Sequence, residues 1–350
     1  MPRVVIISPM PQCSGNTSTA QRLAEHFMRN NIDCCLMTPT DFVSDGGCSV
    51  ESLNKTIRSK SVDGLILLHA VKSGICLSCR CVVPCKLLVK FGIVFGGTDL
   101  NEHGNNEAKL VTLRSVIKLS TFCVAFTEDL RNIALNIVPD VNVLVQPQAV
   151  GYDLFEVRCE KGGVDSGPVV FVLPCNIRPV KNPLFLVEKF WEWGVGGEGG
   201  DVRKDVRLLI LGDVLDDDFA VEFLAKLEEM KEKYGTRRVN NSPSDKQTNL
   251  ETCFAVVNCS FSEGMASSVL EGMMMGLPVL AADIPGNRAV ITHNIDGCLF
   301  STPDQFISQA TKLINNGEFR TKITSAAKSK ISTNHDPYKE AEFYVNLVTK

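Results

Sequence analysis

Short apolar runs and longer amphipathic stretches alternate along the first part of the chain. Arg3–Ser8, Asp33–Met37, Gly64–His69, Phe91–Phe95, Phe122–Phe126 and Val141–Val145 have strand length and few polar positions. Runs apolar on both faces suit parallel strands covered by helices on each side. The stretches between them read mostly as helices, such as Thr17–Asn30 with Leu23, Ala24 and Phe27 at helical spacing. Glu156–Pro168 interrupts the pattern with Gly, Lys, Asp and Glu, and reads as an interdomain linker. A second series follows: strand Val169–Leu173, helix Pro183–Trp193, strand Val206–Leu211, helix Phe219–Tyr234, strand Phe254–Asn258, helix Ser267–Met275 and strand Pro278–Ala282. Helices Pro303–Asn316, Glu318–Thr333 and Pro337–Val348 close the chain. The alternation predicts an α/β protein of two doubly wound parallel-sheet domains, residues 1–160 and 165–335, facing a cleft. Ligands of such sheets bind at the carboxyl ends of the strands.

Composition narrows the choices. A length of 350 residues fits two domains, and 44% apolar with 22% charged residues excludes wholesale disorder. A net charge of −4 argues against nucleic acid as a partner. No apolar stretch approaches the ~18–20 residues of a membrane span. The run Val4–Ile7 is too short for a signal-peptide core. The 14 cysteines are scattered, many inside apolar runs, as in a cytoplasmic protein with reduced thiols. Cys76, Cys79, Cys81 and Cys85 include one C-x2-C without a second pair or His pair, so free thiols are expected ahead of a disulfide or metal site. The glycosylation-like triplets at Asn16, Asn54, Asn240 and Asn258 mean little without a secretory signal. Gly194–Gly200 follows a helix rather than a strand and reads as a surface turn, not a phosphate loop. Asp216–Asp218 precede a helix, where acidic residues ordinarily cap, and no metal is assigned to them.

The densest chemistry lies in Ser262–Leu280, SEGMASSVLEGMMMGLPVL. Glu263 ends a strand, Gly264 permits a tight turn, and the helix starting near Ser267 offers free amides to an anion or hydroxyl. Glu271, one turn further on, can accept two hydrogen bonds from a vicinal diol such as ribose. Met273–Met275 reads as packing.

This stretch resembles the nucleotide-sugar segment of the retaining glycosyltransferases called family 4, which have the GT-B fold of two Rossmann-like domains. That family shows E-G-x6-E-A-M-A-x-G-x-P-V, then a Gly before an apolar helix, then D/N-G. Glu263, Gly264, Glu271, Met273, Gly276, Pro278, Val279, Gly286 and Asp296-Gly297 fall in register. The loop Pro9–Thr17 corresponds to the family's glycine-containing loop, which approaches the donor diphosphate and the acceptor, with Gly15 for close approach and Asn16 as a helix cap or ligand donor in nucleotide-sugar binding. His69 matches a strand-end histidine and becomes the polar contact to a sugar, because Gly96 in FGGTDL stands where His is common. Asp99 is expected to hold that loop through backbone hydrogen bonds. In LPCNIRPVKNP, Lys181 fits the family's diphosphate lysine. Arg178 fits the arginine at shortened spacing, with Asn176 at the more usual position. In this fold the last helix, within residues 336–350, returns to the first domain.

The resemblance implies a retaining hexosyltransferase that needs neither cofactor nor metal and moves a sugar from a nucleoside diphosphate to an acceptor the sequence does not name. Lys181 and Arg178 would meet the diphosphate, the Ser267 and Ser268 backbone groups the phosphate or the sugar, Glu271 the ribose and Glu263 the sugar hydroxyls. The leaving phosphate would take the acceptor proton in a same-face attack. One alternative is an inactive nucleotide-sugar or glycan-binding protein on the same fold. A nicotinamide oxidoreductase lacks its G-x-G-x-x-G after the first strand, and an epimerase is the weakest reading.

Overall fold

The computed structural model describes residues 1–10, 14–42, 49–77, 86–102, 104, 106–156, 168–195, 206–234, 239–242 and 253–349. Most of the expected linker, the glycine run 196–200 and Cys79, Cys81 and Cys85 lie outside them. The chain forms two compact units: residues 1–149 with 337–350, and residues 150–336.

Unit 1 holds a parallel sheet of β1 (Arg3–Ile7), β2 (Asp33–Met37), β3 (Gly64–Leu68), β4 (Phe91–Val94), β5 (Phe122–Ala125) and β6 (Val143–Val145), in the order β2-β1-β3-β4-β5-β6. Every residue of β3 and β4 is buried, as their uninterrupted apolar sequence demands. The first helix, Gly15–Arg29, buries Ala20, Leu23, Ala24 and Phe27. Its cap is Ser14, whose Oγ accepts from the Thr17 amide at 3.2 Å. Asn16 therefore lies inside the helix, which corrects the expectation that it caps. The last helix, Pro337–Thr349, packs on this first helix through a buried ion cluster. Glu340 is fully buried, with Arg22 Nε and His26 Nε2 each 2.7 Å from its Oε2. A carboxylate this deep in the protein needs such partners.

Unit 2 holds β7 (Val169–Pro174), β8 (Val206–Leu211), β9 (Val239–Ser242), β10 (Ala255–Asn258), β11 (Val279–Ala282) and β12 (Cys298–Phe300). They run parallel in the order β12-β11-β10-β7-β8-β9. Its core centres on Phe171 of β7, which meets Phe190, Trp193, Phe254 and Phe306 edge-on at centroid distances of 5.4–5.9 Å. Such pairs contribute ~0.5–1.5 kcal/mol beyond their buried area. In both sheets the order reverses once, between β1 and β3 and between β7 and β10. The carboxyl ends flanking each reversal are where open parallel sheets take ligands.

Strands β9 and β12 are absent from the sequence reading because each offers too little pattern: one apolar residue in Val-Asn-Asn-Ser, and only three residues in the other. The helix expected from Pro183 begins at Val187. Before it comes a 3-10 turn, Pro179–Lys181, closed by Asn182 in the left-handed region at φ 48°.

Candidate functional site

The chain leaves β7 through Cys175–Arg178 and enters the Pro179–Lys181 turn. It leaves β10 through Cys259–Ser262. One backbone bond, from Phe261 N to Val180 O at 2.9 Å, ties the two exits together. That tie brings Lys181 and Glu263 face to face at the reversal of the sheet, with Nζ 2.6 Å from Oε1.

Three donors converge on that one oxygen. Besides Lys181, Ser260 Oγ donates at 2.6 Å and Asn258 Nδ2 at 3.3 Å. Oε2 of Glu263 takes no hydrogen bond from the described residues. Burial acts first on this carboxyl and pushes its pKa up. The Lys181 ammonium, then the hydrogen bonds from Lys181, Ser260 and Asn258, outweigh it and hold the carboxyl below its ordinary value. Glu263 is thus an ionised group, 11% exposed, with one oxygen committed and one free to accept.

The neighbours of Glu263 are held from behind. Asn287, fully buried, donates through Nδ2 to Asn258 Oδ1 at 3.0 Å and to the Ala282 carbonyl at 2.9 Å. A Cβ on Gly286 would lie 2.3 Å from the Glu263 carbonyl oxygen, so only glycine lets the Pro285–Arg288 helix pack there. Gly264 is buried and does not use the left-handed region. Among the described glycines only Gly276 does, at φ 68°. Gly276 closes the Ser267–Met274 helix, with Leu277 N donating to Gly272 O at 2.9 Å.

That helix starts four residues after Glu263 without a side-chain cap. The amides of Ser267 and Ser268 donate to no described residue. Val269, Leu270, Gly272, Met273 and Met274 form its buried face. Ser267, Ser268 and Glu271 share the half-buried face, since positions three and four apart align on a helix. Arg178, also half-buried, makes no ion pair with a described residue, and its Nε is buried without an acceptor. Asn176 points its Oδ1 at the Asp213 amide, 3.2 Å away, and so serves the backbone. Unit 2 therefore pairs Lys181 with Glu263 where the exits of β7 and β10 are tied, with the Ser267 helix starting four residues after Glu263 and Arg178 three residues before Lys181.

In unit 1, Gly15 opens the first helix, and a Cβ there would meet no atom of the described residues within 4 Å, its chain neighbours and own helix backbone aside. His69 is not an exposed contact: it is 1% exposed, against Asp99 and Thr98. Asp99 Oδ2 accepts from the Gly96 and Ala70 amides at 3.0 Å each, the loop-holding role expected of it. Asp216 Oδ1 accepts from the Phe219 amide at 2.9 Å, an ordinary helix cap. Among the described residues, no three His, Cys, Asp or Glu side chains are grouped as metal ligands, and no helix is long and apolar enough to cross a membrane. Sequence reasoning missed Asn258, Ser260 and Asn287. The signal was there: Asn258 and Ser260 are polar residues at the end of an all-apolar strand.

The fold is that of GT-B glycosyltransferases. HepE of Anabaena, solved in complex with UDP and glucose, superposes with a TM-score of 0.78 over 100% of both chains at 13% identity. Sucrose-phosphate synthase of Thermosynechococcus elongatus gives 0.74 over 100% of both chains at 12% identity. Among curated proteins, the glycosyltransferase 1 domain-containing protein 1 of Xenopus tropicalis is 32% identical over 99% of this chain and 97% of its own length. An Escherichia coli UDP-Gal:alpha-D-GlcNAc-diphosphoundecaprenol alpha-1,3-galactosyltransferase is 24% identical over 73% of this chain and 67% of its own. Residues 160–330, which carry the Lys181–Glu263 pair, match the family model described as glycosyl transferases group 1. With its whole length aligned to one relative and this segment to the family model, the chain belongs to the glycosyl transferases group 1 family.

Proposed function

We propose that the protein transfers a sugar from a nucleoside diphosphate to an acceptor alcohol, with retention at the anomeric carbon and with cations of the chain, rather than a metal ion, facing the diphosphate. The observation that carries this reading is the Lys181–Glu263 contact at the reversal of the unit 2 sheet. An ammonium has three donors, and Glu263 uses one. The others, with the Arg178 guanidinium and the Ser267 and Ser268 amides, form a cationic, amide-lined receptor for a diphosphate.

Bond breaking places extra charge on the leaving diphosphate, and preorganised donors stabilise that charge more than they stabilise the substrate. Glu263 Oε2 accepts from hydroxyls of the transferred sugar, and the Lys181 contact at Oε1 keeps it ionised for that purpose. Glu271 accepts from the ribose diol. The leaving phosphate receives the acceptor proton on the face it vacates, so no enzymic nucleophile is needed. Gly15 and Asn16 of unit 1 serve the acceptor side. UDP-sugars are the first donors to try, because HepE was solved with UDP and the Escherichia coli relative is named for a UDP-sugar.

A panel of UDP-, GDP- and ADP-sugars read by thermal shift tests the reading, since a ligand bound only by the native state raises its melting temperature. One nucleotide-sugar should stabilise the protein and release its nucleoside diphosphate on incubation. Glu263→Ala should abolish release while the protein stays folded. Binding without release or transfer would favour the inactive binding protein. No shift with any nucleotide-sugar would end the proposal.

A further inference from the structure

Charge is spread unevenly along the chain. Residues 49–94, from the Ser49–Lys60 helix to the end of β4, hold seven Lys or Arg against two acids, Glu51 and Asp63. They carry +5 in a chain whose net charge is −4, so the other 304 residues carry −9. Asymmetry of this size points to a polyanionic or membrane partner. Five of the seven, Lys55, Arg58, Lys60, Lys86 and Lys90, are exposed and make no ion pair with a described residue. The contrast lies within the same molecule. On unit 2, Lys189, Lys226, Lys231 and Lys233 each sit 2.8–3.3 Å from a carboxylate. The two acids of the segment are engaged locally. Asp63 accepts from the Arg3 amide at 2.8 Å, and Glu51 stands in the first turn of its helix, where it complements the dipole.

The fold joins these cations. Val50, Leu53 and Ile57 bury one side of the Ser49–Lys60 helix and leave Lys55 and Arg58 outside. Asn54 of the same helix clamps the approach to β4. Its Nδ2 donates to the Lys86 carbonyl and its Oδ1 accepts from the Leu88 amide, both at 3.0 Å. Leu87 and Val89 pack against the unit 1 core, and the alternation turns Lys86, Leu88 and Lys90 to solvent. Leu88 thus stands 48% exposed between two lysines. Ile75, on the Gly74–Leu77 turn packed against the same helix, adds a second exposed apolar side chain.

We propose that this face of unit 1 docks on a bilayer containing anionic lipid, with the five cations facing the head groups and Leu88 entering the interface. The two kinds of side chain together select the partner. Cations alone would suit any polyanion. A nucleic-acid backbone gives an aliphatic side chain nothing to bury in, whereas the head-group boundary of a bilayer takes both. Contact of this kind needs no spanning helix. Lys90 directly precedes β4, at the end of the sheet opposite the one that takes ligands. The docking surface therefore stands whether or not the transferase reading does.

The test is co-sedimentation of the full-length protein with vesicles of phosphatidylcholine alone and of phosphatidylcholine and phosphatidylserine in equal parts. The protein should follow only the mixed vesicles, and raised salt should release it. A cation near such a surface contributes about fivefold in partitioning, so Lys86→Gln combined with Lys90→Gln should weaken binding about 25-fold. Leu88→Ser should weaken it about fourfold or more and keep the salt dependence of the parent. Lys231→Gln, on unit 2, should bind like the parent. All four positions are exposed, so each variant should keep the parent's melting temperature. The proposal is overturned by equal binding to both vesicles, by no binding to the mixed ones, or by a Lys86/Lys90 or Leu88 variant that binds like the parent. A loss in Lys231→Gln as large as in the Lys86/Lys90 pair would also overturn it. Binding to heparin without binding to the mixed vesicles would assign the face to a soluble polyanion instead.

Discussion

Asn287 Nδ2 lies 3.0 Å from Asn258 Oδ1, and Asn258 passes that constraint to Glu263 through its own Nδ2. Asn287 thus helps to position a carboxylate to which it makes no hydrogen bond. Asn258→Ala removes one of three donors from Glu263 Oε1, and at ~0.5–1.5 kcal/mol per hydrogen bond it should cost about three- to tenfold in kcat/KM for the donor. Asn287→Ala also strips a partner from the carbonyl of half-buried Ala282. It should lower the unfolding free energy by about 1–3 kcal/mol in urea titrations. Equal stability in both variants and the parent would mean that the network is dispensable.

Lys181→Ala should act on binding and on charge together. Burial is the largest influence on Glu263 and raises its pKa, and Lys181 is the first influence opposing it. Without the ammonium the carboxyl should titrate higher than in the parent, because only the Ser260 and Asn258 hydrogen bonds then oppose burial. The sign for stability follows. In the parent, Glu263 contributes stability above pH 4.5 that is lost as pH falls through its lowered native pKa. In the variant that contribution should shrink. Carboxyl NMR of both proteins reads the shift directly. The same variant should lose most of the thermal stabilisation by the nucleoside diphosphate alone, and an undiminished shift would displace the diphosphate from Lys181.

Much of this was written in the chain. The uninterrupted apolar runs at Gly64–Leu68 and Phe91–Val94 announce buried parallel strands, and Glu263, Lys181 and the Ser267 helix start are marked by residue type and spacing. What the sequence conceals is pairing across distance. Lys181 and Glu263 are 82 positions apart, and a backbone bond from Phe261 to Val180, which carries no side-chain signal, brings them together. His69 misled for a related reason. A histidine at a strand end looks available, but Thr98 and Asp99, 29 and 30 residues on, enclose it. Asn287 was hidden because a buried amide in a short turn has no periodicity to betray it.

Gly286→Ala is a test by backbone contact alone. The added methyl would stand 2.3 Å from the Glu263 carbonyl oxygen and 2.9 Å from its carbon. Neither atom belongs to a flexible side chain, so the Glu263 loop or the Pro285–Arg288 helix must move. Overpacking of this kind costs ~1–3 kcal/mol. Stability should fall by that amount, and nucleoside diphosphate release should fall by about tenfold or more, because a loop displaced by even 1 Å misplaces the carboxylate. Unchanged release in a destabilised protein would separate Glu263 from the chemistry.

Glu340 sets how the protein meets acid. Burial alone would raise its pKa. Arg22, with help from His26, pulls the carboxyl down to about 2 from an ordinary 4.5. A depressed carboxyl contributes stability that is fully present above the unfolded value and disappears as pH falls towards the folded one. The window is therefore pH 4.5 down to about 2. Glu340→Gln leaves Arg22 buried without its counter-charge. Breaking a buried pair from one side costs ~3–5 kcal/mol, so the variant should unfold at clearly lower urea at pH 7. Its handicap should shrink through that acid window, as the parent loses the same charge. Because the pair joins the Gly15–Arg29 and Pro337–Thr349 helices, amide exchange should rise first in the last helix. A variant as stable as the parent at neutral pH would show that the Arg22–Glu340 pair does not hold that helix in place.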